Sequence, residues 1–118
     1  MFDKFIEISM LYGFYGGLLP EKQNLFLKAY YEDDCSLSEI AEQYGISRQG
    51  VHDGIKKAEK SLKEYEEKLG LVSRFLRTAE VLNEIDGQID QLVEKYKDNQ
   101  SLSKKLKSMK KTIDSLND

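Results

Sequence analysis

The sequence is poor in the residues that would narrow its chemistry. Its 118 residues include one cysteine, one histidine, one proline and no tryptophan. The lone thiol, Cys35, can neither close an intramolecular disulfide nor complete a thiolate metal site, so the chain reads as cytoplasmic. A single histidine, His52, excludes a histidine pair as metal ligands. The acidic run Asp33-Asp34 lacks the alternating acidic positions of a calcium loop, and Gly13, Gly16 and Gly17 lack the strand and Lys-Ser/Thr of a phosphate loop. No cofactor, no metal and no enzymatic activity are therefore expected. No apolar run approaches the ~18–20 residues of a membrane span. The first residues carry Asp3 and Glu7 where a signal peptide is basic, so no membrane partner is expected either. Charge of one sign is also missing. Eighteen Lys and Arg against 21 Asp and Glu leave a net −3, which argues against a protein that coats nucleic acid indiscriminately.

What is present is helical. Charged residues make up 33% and apolar ones 40%, the balance of a soluble, highly charged helical chain, and a single proline permits long helices. The spacing predicts a first helix over about residues 2–17, with Phe2, Phe5, Ile6 and Ser9 on one face. Tyr12, Phe14 and Tyr15 follow as core aromatics, with Tyr30 and Tyr31 later in the chain. Pro20 suits the first position of a second helix that runs to about Glu32 and buries Leu25, Phe26, Ala29 and Tyr30. Ser36 and Glu39 have the spacing of a capping box and open a third helix, with Ile40, Ala41 and Tyr44 inward and Gly45 as its stop. Ser47 caps a fourth that runs to about Lys68, before Gly70.

The pattern then changes to a seven-residue repeat. Phe75, Leu82, Ile89 and Tyr96 recur every seven positions, interleaved with Leu71, Thr78, Ile85 and Leu92. After Asp98–Ser101 a second seam steps through Leu102, Leu106, Met109, Ile113 and Leu116. Both are heptad seams. They divide the chain into residues 1–70 and a helical extension, 71–118, that packs or oligomerises. The seams suit an antiparallel hairpin, packing on the first part, or pairing with a second copy. In the last case Phe75, Leu82, Ile89 and Leu102 would meet across a homodimer.

Chemistry concentrates in residues 36–62. Two helices separated by Gly45-Ile46-Ser47 follow the helix-turn-helix grammar, in which a short turn contains glycine. Ala41 leaves room for a close crossing, Ile46 plugs the core from the turn, and Val51 and Ile55 anchor the second helix. At 100° per residue, Val51, Ile55, Ala58, Leu62 and Tyr65 share one face. Arg48, Gln49, His52, Asp53, Lys56, Lys60 and Lys63 take the other. In this motif the N-terminal end of the second helix enters the major groove. Arg48 is suited to guanine and Gln49 to adenine, with His52 beside them. Lys56, Lys57 and Lys60 are placed for phosphates, and Ser47 at the helix start for another. Against this, residues 1–70 hold nine basic and thirteen acidic side chains, net −4, and Asp53 sits on the outward face. Protein recognition on the same scaffold stays open. Lys104, Lys105, Lys107, Lys110 and Lys111 form a second basic stretch, read either as a solvated helix face or as phosphate contacts.

Leu19-Pro20, Tyr30, Glu39-Ile40-Ala41, Gly45-Ile46-Ser47, Val51 and Lys56-Lys57 resemble region 4 of bacterial primary-type sigma factors. Phe14-Tyr15, Leu18-Leu19, Glu21-Lys22-Gln23, Tyr30 to Asp34, Ser47-Arg48-Gln49, Val51-His52-Asp53, Ile55-Lys56-Lys57 and Glu64 to Leu69 are similar to the YlxM family of small Firmicute proteins. The likeness covers about residues 5–76. It implies an all-α helix-turn-helix protein encoded beside signal recognition particle genes and acting in or on that pathway. Its partners would be DNA or RNA, such as the particle's RNA, or the particle's GTPases. His52-Asp53-Gly54 departs from the sigma pattern, so promoter reading in the sigma manner is not expected.

Overall fold

The computed structural model describes residues 3–117. Within them the fold is all-α: Lys4–Tyr15 (α1), Glu21–Leu27 (α2), Leu37–Tyr44 (α3), Arg48–Leu69 (α4), Leu71–Lys95 (α5) and Gln100–Asp114 (α6). No helix among these residues is long and apolar enough to cross a membrane. The chain divides into two compact units, Met1–Ser73 and Arg74–Asp118.

In the first unit, Asp3 caps α1 by accepting the Ile6 N–H at 2.9 Å. The buried face of α1 is Ile8, Leu11 and Tyr15, whereas Phe5 and Ile6 are exposed and Ser9 is only half-buried. The expected face is thus corrected. Apolar residues occur on most sides of this helix, so its own pattern does not select the face that packs. Phe2, assigned to the same face, lies outside the described residues. The aromatics divide similarly: Tyr15 is fully buried, Tyr12 and Tyr31 are half-buried, and Phe14 and Tyr30 are exposed. A short 3₁₀ turn, Gly16–Leu18, follows α1. A Cβ at Gly16 would stand 2.9 Å from the Tyr12 ring, so glycine is required by that contact. Asn24 closes the corner, accepting from the Tyr12 hydroxyl and donating to the Gly16 carbonyl.

Pro20 is the cap of α2 rather than its first helical residue, since its carbonyl accepts the first intrahelical bond, from Asn24 N–H at 3.0 Å. After Leu27 the helix widens into a π turn, Lys28–Glu32. That widening explains a second correction: Phe26, Leu27 and Ala29 are buried, while Leu25 and Tyr30 are exposed. Bonding i to i+5 sets residue i+5 where i+4 would stand, which carries Tyr31 inward in place of Tyr30. Asp34 then adopts φ 55°, and Cys35 N–H bonds back to the Ala29 carbonyl at 2.9 Å, one residue further than in an α-helical C-cap, as the wider π turn requires.

The capping box of α3 is present in both directions: Glu39 N–H to Ser36 Oγ at 3.1 Å and Ser36 N–H to Glu39 Oε1 at 3.0 Å. These bonds hold the exposed Glu39 carboxyl below the ordinary glutamate range. Gly45 takes φ +66°, the left-handed region where a Cβ is strained, and ends α3. Ser47 caps α4 by accepting Gly50 N–H at 3.0 Å. The interior face of α4 is Val51, Ile55, Ala58 and Leu62, with Tyr65 half-buried. Gly54 lets α2 approach: a Cβ there would meet the buried Phe26 ring at 2.9–3.1 Å.

At the end of the unit, Gly70 (φ +63°) terminates α4 and α5 begins at once. Glu66 receives the Tyr15 hydroxyl at 2.7 Å and the Val72 and Ser73 amides at 3.0 Å each. Tyr15 oxygen in turn accepts Leu71 N–H at 3.0 Å. Two side chains therefore satisfy three orphan donors at the start of α5.

The second unit is an antiparallel hairpin of α5 and α6. Lys110 reaches from α6 to Asp90 and, at 3.8 Å, to Asp86 of α5. Ile89 and Leu106 are its buried residues, with Leu82, Val93, Leu102 and Ile113 half-buried. Leu82, Ile89 and Leu102, which the heptad pattern offers equally to a second copy, are used inside the hairpin. The interleaved row is not: Ile85 and Leu92 remain exposed on the flank of α5 with Val81 beside them, and Phe75 and Tyr96 of the first row are exposed as well.

Candidate nucleic-acid interface

The predicted scaffold residues assemble as a unit. Ala41, Val51 and Ile55 are buried, Ile46 is half-buried beneath the turn, and Gly45 supplies the left-handed stop. The amide of Ile46 bonds to the Ala41 carbonyl at 3.1 Å, which fixes where the chain re-enters a helix. With the opposite face of α4 anchored in the core, its N-terminal turns are held out rigidly.

Arg48, Gln49 and His52 are exposed and line one open concavity together with Leu37 of α3. Gln49 Nε2 donates to Asp53 Oδ1 at 2.9 Å, and His52 Nδ1 lies 3.6 Å from the same oxygen. Asp53 therefore orients Gln49 through a hydrogen bond and lies close to His52. It does so while keeping a negative charge among them. Ser47 Oγ uses one of its two acceptor positions on the helix cap, and its hydroxyl can still donate to a phosphate. Lys57, Lys60 and Lys63 are exposed further along the helix.

Lys56 is placed differently from the other predicted phosphate contacts. It approaches Glu59 at 3.7 Å, and Lys4 of α1 approaches the same carboxylate at 3.3 Å. Glu59 is 5% exposed and accepts the Tyr31 hydroxyl at 2.6 Å. Burial pushes the Glu59 carboxyl up, but the Tyr31 hydroxyl and the two ammonium groups overcome this and hold it below the ordinary range. Burial and the same bond push the Tyr31 hydroxyl far above the usual tyrosine range. Beside Lys56 and Glu59, Lys4 is held above the ordinary lysine range by that carboxylate, whereas the neighbouring Lys4 ammonium lowers Lys56.

Sequence reasoning did not single out Glu59, Lys4 or Tyr31 as a group. One signal was available: at 100° per residue Glu59 falls at the edge of the stripe formed by Ile55 and Leu62, on the buried side of the helix. Among the described residues, no set of three or more His, Cys, Asp and Glu side chains is arranged to hold a metal ion.

Comparison with known proteins adds an independent finding. A family model described as "Putative helix-turn-helix protein, YlxM / p13 like" matches residues 2–92. A UPF0122 protein of Desulforamulus reducens is 51% identical over 88 residues, covering 71% of this chain and 75% of the relative. A UPF0122 protein of Halalkalibacterium halodurans is 40% identical over 116 residues, covering 98% and 99%. One from Thermoanaerobacter pseudethanolicus is 43% identical over 117 residues, covering 99% of each chain.

Proposed function

The chain belongs to this YlxM / p13-like helix-turn-helix family, and from that premise we propose that it is a non-enzymatic regulatory protein that binds nucleic acid through α4. The observation that carries the reading is the convergence of Arg48, Gln49 and His52 on one open concavity at the exposed end of a core-anchored helix. A planar guanidinium and a carboxamide are the groups that read base edges in pairs of hydrogen bonds. Lys57 and Lys60 follow as phosphate contacts about one to two turns beyond His52. Lys56 joins them by exchanging Glu59 for a phosphate, since Lys4 stays to neutralise that carboxylate.

The test measures binding to duplex DNA, to signal recognition particle RNA and to that particle's GTPase across salt concentrations. Arg48→Ala and Gln49→Ala should each weaken nucleic-acid binding by roughly 5–150-fold, the ~1–3 kcal/mol of a bidentate base contact. Unchanged affinity for every nucleic acid would end this assignment.

A protein-binding reading rests on a different observation. Among the described residues of the second unit, Ile89 and Leu106 are the buried apolar side chains, and Val81, Ile85 and Leu92 are about 40% exposed along one flank of α5. A second copy laid on that flank would complete a four-helix core. Sedimentation should then show a dimer that Ile85→Lys dissociates, and a wild-type monomer at high micromolar concentration would refute it.

A further inference from the structure

The strongest local charge of the molecule lies outside the helix-turn-helix. Between Lys95 and Lys111 there are seven lysines and one acidic residue, Asp98, in a chain whose overall charge is −3. The structure separates these lysines by role. Lys110 is turned into the hairpin against Asp86 and Asp90, which hold its ammonium above the ordinary lysine range. Lys97 pairs loosely with Glu94 at 3.4 Å in full exposure, and Lys95 lies over the Tyr96 ring.

Lys104, Lys107 and Lys111 step by three and four residues and fall within about 60° of arc on α6. The apolar set Leu102, Leu106 and Ile113 occupies the opposite side, so all three lysines are exposed along one line. Lys97, Gln100, Ser103, Lys104 and Lys107 line one open groove at the tip of the hairpin. The line is about 10 Å long from Lys104 to Lys111 at 1.5 Å per residue. Its acidic neighbours are Glu94 beside Lys97 and Asp114 at the far end.

We infer that Lys97, Lys104, Lys107 and Lys111 form a second polyanion-binding stripe that takes the phosphate backbone of a nucleic acid, independent of base identity. This rests on the reading of the chain as a nucleic-acid binder. A row of exposed ammonium groups, of which Lys97 alone meets an acidic side chain among the described residues, the exposed Glu94, provides with a glutamine and a serine alongside charge and donors without an apolar contact. That suits a repeating phosphate chain, and it offers no apolar residue for insertion into a bilayer. The stripe supplies affinity, and α4 supplies choice of sequence. It also explains how a chain with net −4 over its first seventy residues engages a polyanion: the attraction is carried by α6.

Counterion release makes this measurable. Four phosphate contacts contribute about 3.6 to the slope of log affinity against log salt on a duplex and about 2.8 on a single strand. The full-length variant K97Q/K104Q/K107Q/K111Q should therefore lose that part of the slope against a labelled DNA duplex and a labelled RNA hairpin. Between 50 and 200 mM salt, wild-type duplex binding should weaken about 150-fold more than the variant's. A control variant, K22Q/K28Q, alters two exposed lysines of the first unit and should leave the slope within one unit of wild type.

An unchanged slope in the fourfold variant, with affinity lost in Arg48→Ala, overturns the stripe and leaves the α4 reading standing. A flattened slope with Arg48→Ala and Gln49→Ala silent supports the stripe and overturns α4 as the reader. Binding to phosphatidylglycerol vesicles, with none to either nucleic acid, overturns both.

Discussion

Removing Glu66 should destabilise the first unit far more than its position on a polar stretch of α4 implies. Its carboxylate accepts the hydroxyl of the fully buried Tyr15 at 2.7 Å and the amides of Val72 and Ser73 at 3.0 Å. Glu66→Ala removes all three acceptor contacts at once. A hydrogen bond to a charged group contributes about 1.5–3 kcal/mol, and loss of a helix cap costs about 1 kcal/mol. The amides can partly recover water, so we expect a total loss of about 2–4 kcal/mol. For a unit of this size that lowers Tm by roughly 10–30 °C.

Urea denaturation followed by circular dichroism and tyrosine fluorescence would measure it. Glu66→Gln, which keeps one acceptor oxygen, should lose about half as much. The pH dependence tests the cause. Burial pushes the Glu66 carboxyl up, and the Tyr15 hydroxyl with the two amides outweighs it, so the native value lies below the ordinary one. A depressed carboxyl stabilises the fold above its unfolded value of about 4.3 and loses that contribution as pH falls through the native value. The gap between wild type and Glu66→Ala should therefore be constant near neutrality and close in acid. A loss below about 0.5 kcal/mol at pH 7, or a gap that persists in acid, would refute the reasoning.

Three further outcomes follow from the packing. Gly54→Ala gains about 1 kcal/mol of helix propensity but drives a methyl group into Phe26, at a cost of about 1–3 kcal/mol; urea midpoints should show it neutral to ~2 kcal/mol less stable, and a clear gain would mean that α2 and α4 are not in tight contact. Glu59→Gln should lower stability by about 1–3 kcal/mol through the weakened Tyr31 bond; a neutral result would show that the buried carboxylate is not held by its partners. In an alkaline titration of tyrosinate absorbance, Tyr12, Tyr15 and Tyr31 should ionise late, since burial raises all three. Their contribution to stability is complete below the unfolded tyrosine value near 10 and disappears as pH rises through the native values, so simultaneous titration of all seven tyrosines in the native protein would contradict their placement.

The legible parts of the site share one property, that both partners lie within a few residues of each other. Ser36 with Glu39, Ser47 with Gly50, and Gly45 as a left-handed stop are fixed by local backbone geometry, and each forms in the structure as its spacing implies. The buried face of α4 is legible for a related reason. Val51, Ile55, Ala58 and Leu62 are separated by polar, charged and glycine residues, of which only Glu59, at the edge of the stripe, is drawn into the core by its partners. In α1 no such contrast exists, and Phe5 and Ile6 compete with Ile8 and Leu11 on equal terms. The π turn after Leu27 lies between these cases: it preserves the helix while rotating Tyr31 in and Tyr30 out.

The absences with which the sequence begins set firm bounds of their own. With so little proline and cysteine, and no apolar run of membrane length, the chain had to bury moderate amounts of surface between capped helices. That, together with the glycine turn and the spacing around it, determined an all-α helix-turn-helix. The environment of each charge was decided only by tertiary structure. Glu59 becomes a buried anion because Tyr31, 28 residues away, and Lys4 of α1 converge on it. Glu66 becomes the cap of another helix because Tyr15, 51 residues away, is fixed beside it. Lys110 faces inward while Lys104, Lys107 and Lys111 face water because α5 covers one side of α6. A charged residue has the same local propensity in each of these places, and its energy depends on distant groups that the sequence does not place next to it.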